Sequence, residues 1–221
     1  MIHLENLTKI FHTPHGPKVA VDDVTLTIST GGSMALLGRN GAGKSTLLQM
    51  ISGAMEPTFG RILSDGTISW PVGFAGAFHP DLTGAQNARF IARVYGAETN
   101  EMLEFVQDFC ELGDNFFLPV RNYSSGMRAR LAFGVSMAVP FDTYLIDEVA
   151  AVGDASFREK SNLVLRARLE TSSAVVVSHS MGLVREICDR GAVLENGKLT
   201  LYNDIDDAIA QHERYMGVSI K

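Results

Sequence analysis

One stretch of the sequence carries the residues of a phosphate-binding loop. From Gly38 to Thr46 the chain reads GRNGAGKST, which fits the pattern G-x-x-x-x-G-K-[ST] at every position. Gly41 and Gly43 allow the backbone to wrap around a triphosphate and point its N–H groups inward. Lys44 is placed to neutralise the β- and γ-phosphates, and the Ser45 hydroxyl to reach Mg²⁺. We therefore expect a nucleoside triphosphate to be bound by the whole loop, which consists of Gly38, Arg39, Asn40, Gly41, Ala42, Gly43, Lys44, Ser45 and Thr46.

A second stretch supplies the acidic residues that such a loop requires. In TYLIDE, residues 143–148, Asp147 follows an apolar strand and is the expected partner of Ser45 in holding Mg²⁺. Glu148 comes next and is placed to orient or deprotonate an attacking water. His179 ends another apolar strand, AVVVSHS, where its ring could contact the γ-phosphate. The predicted catalytic residues are therefore Glu148, His179 and Lys44.

A third stretch, YSSGM at residues 123–127, has the residues of an anion cradle without the rest of a site. Two serines and a glycine stand at the start of a helix-like run, where free backbone N–H groups bind anions. The flanking sequence supplies neither the lysine of a phosphate loop nor an acidic pair for a metal ion. The residues alone leave open which anion this turn would bind.

The elements that position these residues indicate an α/β fold. Buried strands alternate with helices at both ends of the chain, which is typical of a parallel sheet covered on its faces. Three consecutive helix-like segments interrupt that alternation. We predict a single domain over residues 1–221, a P-loop core with an N-terminal antiparallel β subdomain and an inserted α-helical subdomain. The core spans about 1–79 and 139–221, and the insertion about 80–138. Within the core, GRILSDGTISW is predicted to be a hairpin.

Composition excludes several other kinds of protein. The formal net charge of −6 argues against a general nucleic-acid surface, which draws on clustered Lys and Arg. The longest apolar runs fall short of the roughly 18 residues that a membrane span needs, and no secretory signal is apparent at the start. Cys110 and Cys188 lack ligand spacing and are predicted to be reduced core thiols. These features predict a soluble cytoplasmic protein.

The order of the motifs resembles that of the ATPase subunits of ATP-binding cassette (ABC) transporters over nearly the whole chain. In that family the helical insertion carries a signature turn, L-S-G-G-Q, and YSSGM matches it at Ser124 and Gly126. The resemblance implies a head-to-tail pair of copies with ATP between them. In such a pair Ser124, Ser125 and Gly126 close over the γ-phosphate held by the other copy's phosphate loop.

The resemblance also assigns roles outside these motifs. Asp154 matches the acidic residue of the segment that crosses the dimer interface. Phe11 matches the aromatic residue that stacks on adenine, with His12 as a weaker candidate. The glutamine that the family places between core and insertion should fall near Phe74–Phe78, where this chain has none. Gln86 lies too far along the chain to replace it.

Three segments resemble one subgroup more closely, the ATPases of bacterial exporters for capsular polysaccharide. They are SWPVGFAGAFHPDLTG, YSSGMRARLAF and IDEVAAVGD. The subgroup implies a separate integral membrane permease, a glycolipid-linked polysaccharide as cargo, and a peripheral location on the cytoplasmic face of the bacterial inner membrane.

Other functions remain open at this point. Export of another lipid-linked glycan, such as O-antigen or teichoic acid, uses the same machinery. A soluble ABC protein of translation or DNA maintenance would usually carry two cassettes, long coiled coils or basic patches. A P-loop kinase or GTPase would leave YSSGM and His179 unexplained.

Overall fold

The computed structural model describes residues 1–147 and 154–217, in two compact units. The first unit comprises Met1–Pro71, Phe141–Glu148 and Thr171–Lys221, and the second comprises Val72–Pro140 and Val149–Glu170. The stretch predicted as a helical insertion falls within the second unit, which also takes in the helix that follows residue 154.

The helices and strands alternate as an α/β chain with a helical middle. In chain order they are β1 (Ile2–Thr13), β2 (Gly16–Ile28), β3 (Ser33–Leu37), α1 (Lys44–Ile51), β4 (Phe59–Ser64), β5 (Ile68–Pro71), α2 (Gly84–Tyr95), α3 (Thr99–Cys110), α4 (Ser125–Ala138), β6 (Thr143–Asp147), α5 (Ala155–Leu169), β7 (Ser173–Val177), α6 (Met181–Ile187), β8 (Arg190–Glu195), β9 (Lys198–Tyr202) and α7 (Ile205–Met216).

Two sheets build the first unit. The smaller is antiparallel with the order β2-β1-β4, and the larger has six strands in the order β5-β6-β7-β3-β8-β9. In the larger sheet β5, β6, β7, β3 and β8 run parallel, and β9 pairs antiparallel with β8. This arrangement confirms the predicted α/β class with an N-terminal antiparallel subdomain.

A shared apolar core joins these sheets within the first unit. Leu4, Leu7 and Val21 of the small sheet belong to one buried cluster with Leu47 and Leu48 of α1. Residues of β3, β6, β7 and β8 complete the cluster. Strand β3 is buried along its whole length, and it leads directly to the phosphate loop. The core therefore fixes strand β3, which precedes the loop, and helix α1, which follows it.

The predicted hairpin at GRILSDGTISW is wrong. Strand β4 pairs antiparallel with β1, with Ile62 opposite Leu4, whereas β5 pairs parallel with β6 in the other sheet. The turn between them is held by Asp142, whose Oδ2 accepts hydrogen bonds at 2.7 Å from the Thr67 backbone N–H and hydroxyl. Both strands find partners far away in sequence, which local turn residues do not reveal.

Strand β9 was not predicted, although the sequence carries a signal for it. It forms a hairpin with β8 across Asn196 and Gly197, which both have positive φ, at 48° and 80°. An Asn-Gly pair between two strands is the usual two-residue hairpin turn.

Helices α2 to α5 build the second unit around an aromatic cluster. The ring centroid of Phe109 lies 5.7 Å from those of Phe105 and Phe133 and 5.2 Å from that of Phe157. Helices α3 and α4 approach closely at Gly134, where an added Cβ would lie 2.6 Å from the Cys110 sulfur. This cluster sets the position of α4, which begins at the predicted signature turn.

Both cysteines are free and buried. Burial raises the pKa of Cys110 and of Cys188 to about 12, which keeps both thiols protonated and unreactive. Among residues 1–147 and 154–217, no helix is long and apolar enough to cross a membrane.

Gly191 allows α7 to pack closely on the large sheet. A Cβ at this position of β8 would lie 2.4 Å from the Ala208 Cβ of α7. We expect Gly191→Ala to lower the free energy of unfolding by about 1–3 kcal/mol through overpacking, measured by thermal and urea denaturation. Gly182→Ala is the matched control, because nothing lies within 4 Å of its added Cβ. Adding Ala208→Gly to Gly191→Ala should recover part of the loss, and strict additivity of the two changes would contradict this packing.

Candidate active site

The phosphate loop is held between two backbone segments of the first unit. Gly38 and Gly43 have φ of 151° and 110°. A Cβ on Gly38 would lie 2.4 Å from the Leu194 carbonyl oxygen, and one on Gly43 would lie 2.4 Å from the Ala20 carbonyl oxygen. Both glycines are therefore required by close backbone contact as well as by their dihedral angles.

The side chain of Lys44 is hydrogen-bonded to the backbone of its own loop. Its ammonium group donates to the carbonyl oxygens of Gly38 at 2.8 Å and Arg39 at 3.1 Å, and only 9% of the residue is exposed. Within the described residues, no side chain caps the first turn of α1, and that turn contains no acidic residue. Free N–H groups at a helix start together with a lysine form a site for a polyanion.

A cavity of about 560 Å³ opens beside this loop. Its volume is within the range of small-molecule sites. It brings together Phe11 and most of the predicted phosphate-loop residues. The cavity is lined by Phe11, Thr13, Lys18, Ala20, Asn40, Gly41, Gly43, Lys44, Ser45, Thr46 and Val177. The other three predicted loop residues, Gly38, Arg39 and Ala42, line an adjoining cavity of about 440 Å³ together with Asn40 and Gly41.

Two further predicted residues lie at, or two residues beyond, the carboxyl ends of neighbouring strands of the same sheet. Asp147 is the last residue of β6 and pairs with Val177, the last residue of β7, which lines the 560 Å³ cavity. His179 follows two residues later and is exposed, just before Ser180 caps α6. Parallel strands place these residues at one edge of the sheet, where α/β proteins bind ligands. Glu148, the predicted base, lies outside the described residues.

The oxygen donors present suit Mg²⁺. Among residues 1–147 and 154–217 there is no group of three His, Cys, Asp or Glu side chains that could hold a metal ion by itself. Mg²⁺ is usually held by one or two protein oxygens together with substrate phosphates. The exposed hydroxyl of Ser45 and the carboxylate of Asp147 fit that donor set, and Mg²⁺ would there neutralise charge on the phosphates of ATP.

Helix α7 contributes a titratable residue, His212, that belongs to none of the sequence motifs. Burial lowers the pKa of His212, and the charges of Lys44 and His179 lower it further. Within the described part of the chain, its buried Nδ1 has no hydrogen-bond partner. His212 therefore lies within electrostatic reach of Lys44.

In the second unit, the predicted signature turn begins a helix. Ser124 is the N-cap of α4, and its Oγ accepts a hydrogen bond from the Met127 N–H at 3.2 Å. Ser125 and Gly126 follow as exposed residues of the first turn. Tyr123 is buried and its hydroxyl donates to the Asn115 carbonyl at 2.7 Å. The first turn of α4 is thus exposed, and Tyr123 just before it is held in place by burial and its hydrogen bond.

A cavity of about 390 Å³ at this helix start brings together Ser124, Gly126 and Asp154. Asp154 is the N-cap of α5, and its Oδ1 accepts from the Phe157 N–H at 3.0 Å. Its Oδ2 accepts from Arg130 Nη2 of α4 at 2.8 Å. Both carboxylate oxygens of Asp154 are therefore bound within the chain itself.

Arg130 joins three helices of this unit. Besides Asp154, it pairs with Glu111, the C-cap of α3, at 3.5 Å, and its guanidinium lies 4.5 Å from the centroid of the Phe157 ring. Lys160 of α5 bonds the same Glu111 at 2.8 Å. Sequence reasoning missed Arg130, because its partners lie 19 and 24 residues away and no local pattern links them.

The comparison with protein families gives one decisive match. The model described as "ABC transporter" matches residues 21–151, which include the phosphate loop, the signature turn and Asp147. The chain belongs to the ABC transporter family. It is an ABC-type ATPase that binds and hydrolyses ATP.

Curated relatives match this ABC ATPase along its length. The polysialic acid transport ATP-binding protein KpsT of Escherichia coli is 46% identical over 224 residues, covering 100% of both chains. The capsule polysaccharide export ATP-binding protein CtrD of Neisseria meningitidis serogroup B is 44% identical, covering 94% of this chain and 96% of the relative.

Solved structures support the fold of the ABC ATPase. A dimeric ATP-binding cassette in a post-hydrolysis state, bound to ADP and Pi, matches with a TM-score of 0.76. The match covers 91% of this chain and 98% of that structure at 23% identity.

The N-cap at Asp154 gives a prediction with a defined pH dependence. Its hydrogen bond from the Phe157 N–H and the nearby charge of Arg130 lower the pKa of Asp154. A lowered pKa in the folded state adds stability that is present above the unfolded pKa, near 3.9, and is lost as pH falls through the folded value. We expect Asp154→Asn to lower the Tm at pH 7 and the difference from wild type to shrink below about pH 4. A constant difference between pH 7 and pH 3, measured by calorimetry, would contradict a charged cap.

Proposed function

We propose that this ABC ATPase powers the export of a capsular polysaccharide through a separate integral membrane permease. The observation that carries the proposal is the identity of 44–46% over 94–100% of the chain to relatives named for polysialic acid transport and capsule polysaccharide export. The cargo would be a polysaccharide linked to a glycolipid. The ATPase would lie peripherally on the cytoplasmic face of the bacterial inner membrane.

Each copy would hold ATP in the cavity beside its own phosphate loop. Phe11, which is half-buried and lines that cavity, supplies an aromatic face for adenine. Lys44 would exchange its bonds to the Gly38 and Arg39 carbonyls for bonds to the β- and γ-phosphates. Ser45 and Asp147 would hold Mg²⁺, which neutralises phosphate charge during transfer.

A second copy of the chain would complete the site. The first turn of α4 is exposed and its N-terminus favours an anion, yet the phosphate loop of the same chain belongs to the other unit. We propose that Ser124, Ser125 and Gly126 close over the γ-phosphate held by a partner copy in a head-to-tail dimer. Asp154 would approach the same interface. Glu148 would activate the attacking water, and His179 would contact the γ-phosphate.

Exposed apolar side chains in the second unit fit a contact with the permease. Phe74, Phe90, Val94 and Phe117 are each more than half exposed. Phe90 and Val94 lie four residues apart on α2 and so share one face of it. Contiguous exposed apolar side chains are typical of partner surfaces. The family's glutamine is absent near Phe74–Phe78, and Gln86 is occupied in a capping box with Thr83 at the start of α2. Coupling to the permease would therefore depend on packing rather than on that polar side chain.

Export of O-antigen or teichoic acid is the alternative within the same class. A relative named for O-antigen export matches at 38% identity, covering 90% of this chain and 82% of its own length. Its lower identity and coverage favour a capsular cargo.

The roles of Lys44 and Glu148 can be separated by one pair of variants. Lys44→Ala should lose ATP binding, because the phosphates lose their buried counter-charge. Glu148→Gln should bind ATP but turn it over at least about a hundredfold more slowly, and it should accumulate dimers with ATP and Mg²⁺. Calorimetry, phosphate release and size-exclusion chromatography measure these effects, and Lys198→Ala, which affects an exposed ion pair with Asp22, is the control. Normal turnover by Glu148→Gln would place the base elsewhere.

The cargo is tested in the organism that carries the gene. Deleting the gene should remove the polysaccharide from the cell surface while the polymer accumulates inside the cell, because synthesis continues without export. Wild type and Lys198→Ala should restore surface polysaccharide, and Lys44→Ala should not. Immunostaining of intact and permeabilised cells makes the measurement. A normal capsule with a loss of another surface glycan would assign the protein to that glycan instead.

A further inference from the structure

The position of Lys18 is fixed by its strand pairing. Lys18 of β2 lies directly opposite Phe11 of β1 in the antiparallel ladder. Residues that are opposite each other point to the same face of a sheet, and so do residues two apart along a strand. Phe11 and Thr13 of β1 and Lys18 of β2 therefore share one face. Ala20 follows at the irregularity between the Ile10–Val19 and Lys9–Val21 pairs, and all four residues line the 560 Å³ cavity.

Contact with the phosphate loop holds this face in place. The Gly43 backbone lies so close to β2 that an added Cβ would be 2.4 Å from the Ala20 carbonyl oxygen. Lys18 is two residues from Ala20, or about 7 Å along the strand. At the end of the hairpin, the Thr13 hydroxyl donates to the Gly16 carbonyl at 2.8 Å and accepts from the His15 N–H at 3.2 Å. The Lys18 side chain thus starts from a fixed backbone between Phe11 and the loop.

The hydrogen bonding of its ammonium group distinguishes Lys18 from the lysine of the loop. Lys44 is bound to the carbonyl oxygens of Gly38 and Arg39. Within residues 1–147 and 154–217, the Lys18 ammonium group has no hydrogen bond and no ion pair, and the residue is exposed. The residues that line the cavity include these two lysines and no acidic side chain. A polyanion entering the cavity therefore meets the ammonium group of Lys18 without having to displace a protein partner.

We propose that Lys18 is a further ATP-binding residue, whose ammonium group contacts the phosphate chain while Phe11, opposite it, contacts the base. The proposal rests on the proposed ATP site at this cavity. Because the phosphate-loop motif does not include Lys18, the sequence pattern alone gives it no role. The Lys18 ammonium group would hold the phosphates while Lys44 exchanges its hydrogen bonds to the Gly38 and Arg39 carbonyls for bonds to the phosphates. Lys18 would strengthen binding of ATP without taking part in the chemical step.

The test compares ligands with and without phosphates. Lys18→Ala should weaken ATP binding by about threefold to tenfold, the range for a solvent-exposed contact between a charged group and a phosphate. Adenosine, measured by competition against a fluorescent ATP analogue, should bind unchanged. In steady-state assays KM for ATP should rise while kcat stays constant, because an interaction equal in the ground and transition states affects KM alone. The loss should shrink at high salt, since an exposed charge is screened.

Two matched variants control for charge and folding. Lys18→Arg keeps the charge and should bind ATP within about twofold of wild type. Lys198→Ala removes an exposed lysine that pairs with Asp22 of the same strand β2 and does not line the cavity. It should leave ATP affinity unchanged.

Two results would overturn the role of Lys18. Equal weakening of ATP and adenosine would mean that Lys18 shapes the base pocket rather than contacting phosphate. Unchanged ATP affinity in Lys18→Ala would remove it from the site. Failure of the wild-type protein to bind ATP would refute the proposed function instead, so the two failures are distinguishable.

Discussion

The close backbone contacts on both sides of the phosphate loop are the constraint on which the site depends. The loop passes between the Leu194 and Ala20 carbonyl oxygens, with room for no side chain at Gly38 or Gly43. Within the loop, the Gly38 and Arg39 carbonyl oxygens accept hydrogen bonds from the Lys44 ammonium group. Burial of that charge is tolerated because it is hydrogen-bonded. The same contacts place β2, and with it Lys18, against the loop.

The second unit exposes the start of helix α4, whereas the phosphate loop belongs to the first unit. The first turn of α4 is exposed, whereas the residues behind it are fixed by the Tyr123 hydroxyl and by Arg130. Arg130 binds the carboxylate that caps α5, so the start of α5 and the start of α4 are held in one arrangement. This rigidity fits the proposed role of the helix start, which is to bind a phosphate held by a second copy, because a preorganised donor loses little entropy on binding.

The segment before α2 departs from the family pattern that the sequence otherwise resembles. The segment Phe74–Phe78 contains aromatic and small residues and no glutamine, and Gln86 caps α2. Asn87 is buried and fixes the preceding turn, since its Oδ1 accepts from the His79 N–H at 2.9 Å and its Nδ2 donates to the His79 carbonyl at 3.1 Å. The start of α2 is thus stabilised by its own polar side chains, which leaves its exposed apolar residues available for a partner.

The sequence by itself determined the parts of this protein whose geometry is local. The spacing from Gly38 to Thr46 and the helix start at YSSGM each depend on a few consecutive residues, so the pattern was sufficient. Only the tertiary structure decided which strands pair. Strands β4 and β5 lie four residues apart yet join different sheets, and Arg130 reaches Asp154 across 24 residues. Such partners are chosen by burial and register over long separations, which local propensity does not encode. Lys18 gained its position in the same way, from the register that sets it opposite Phe11.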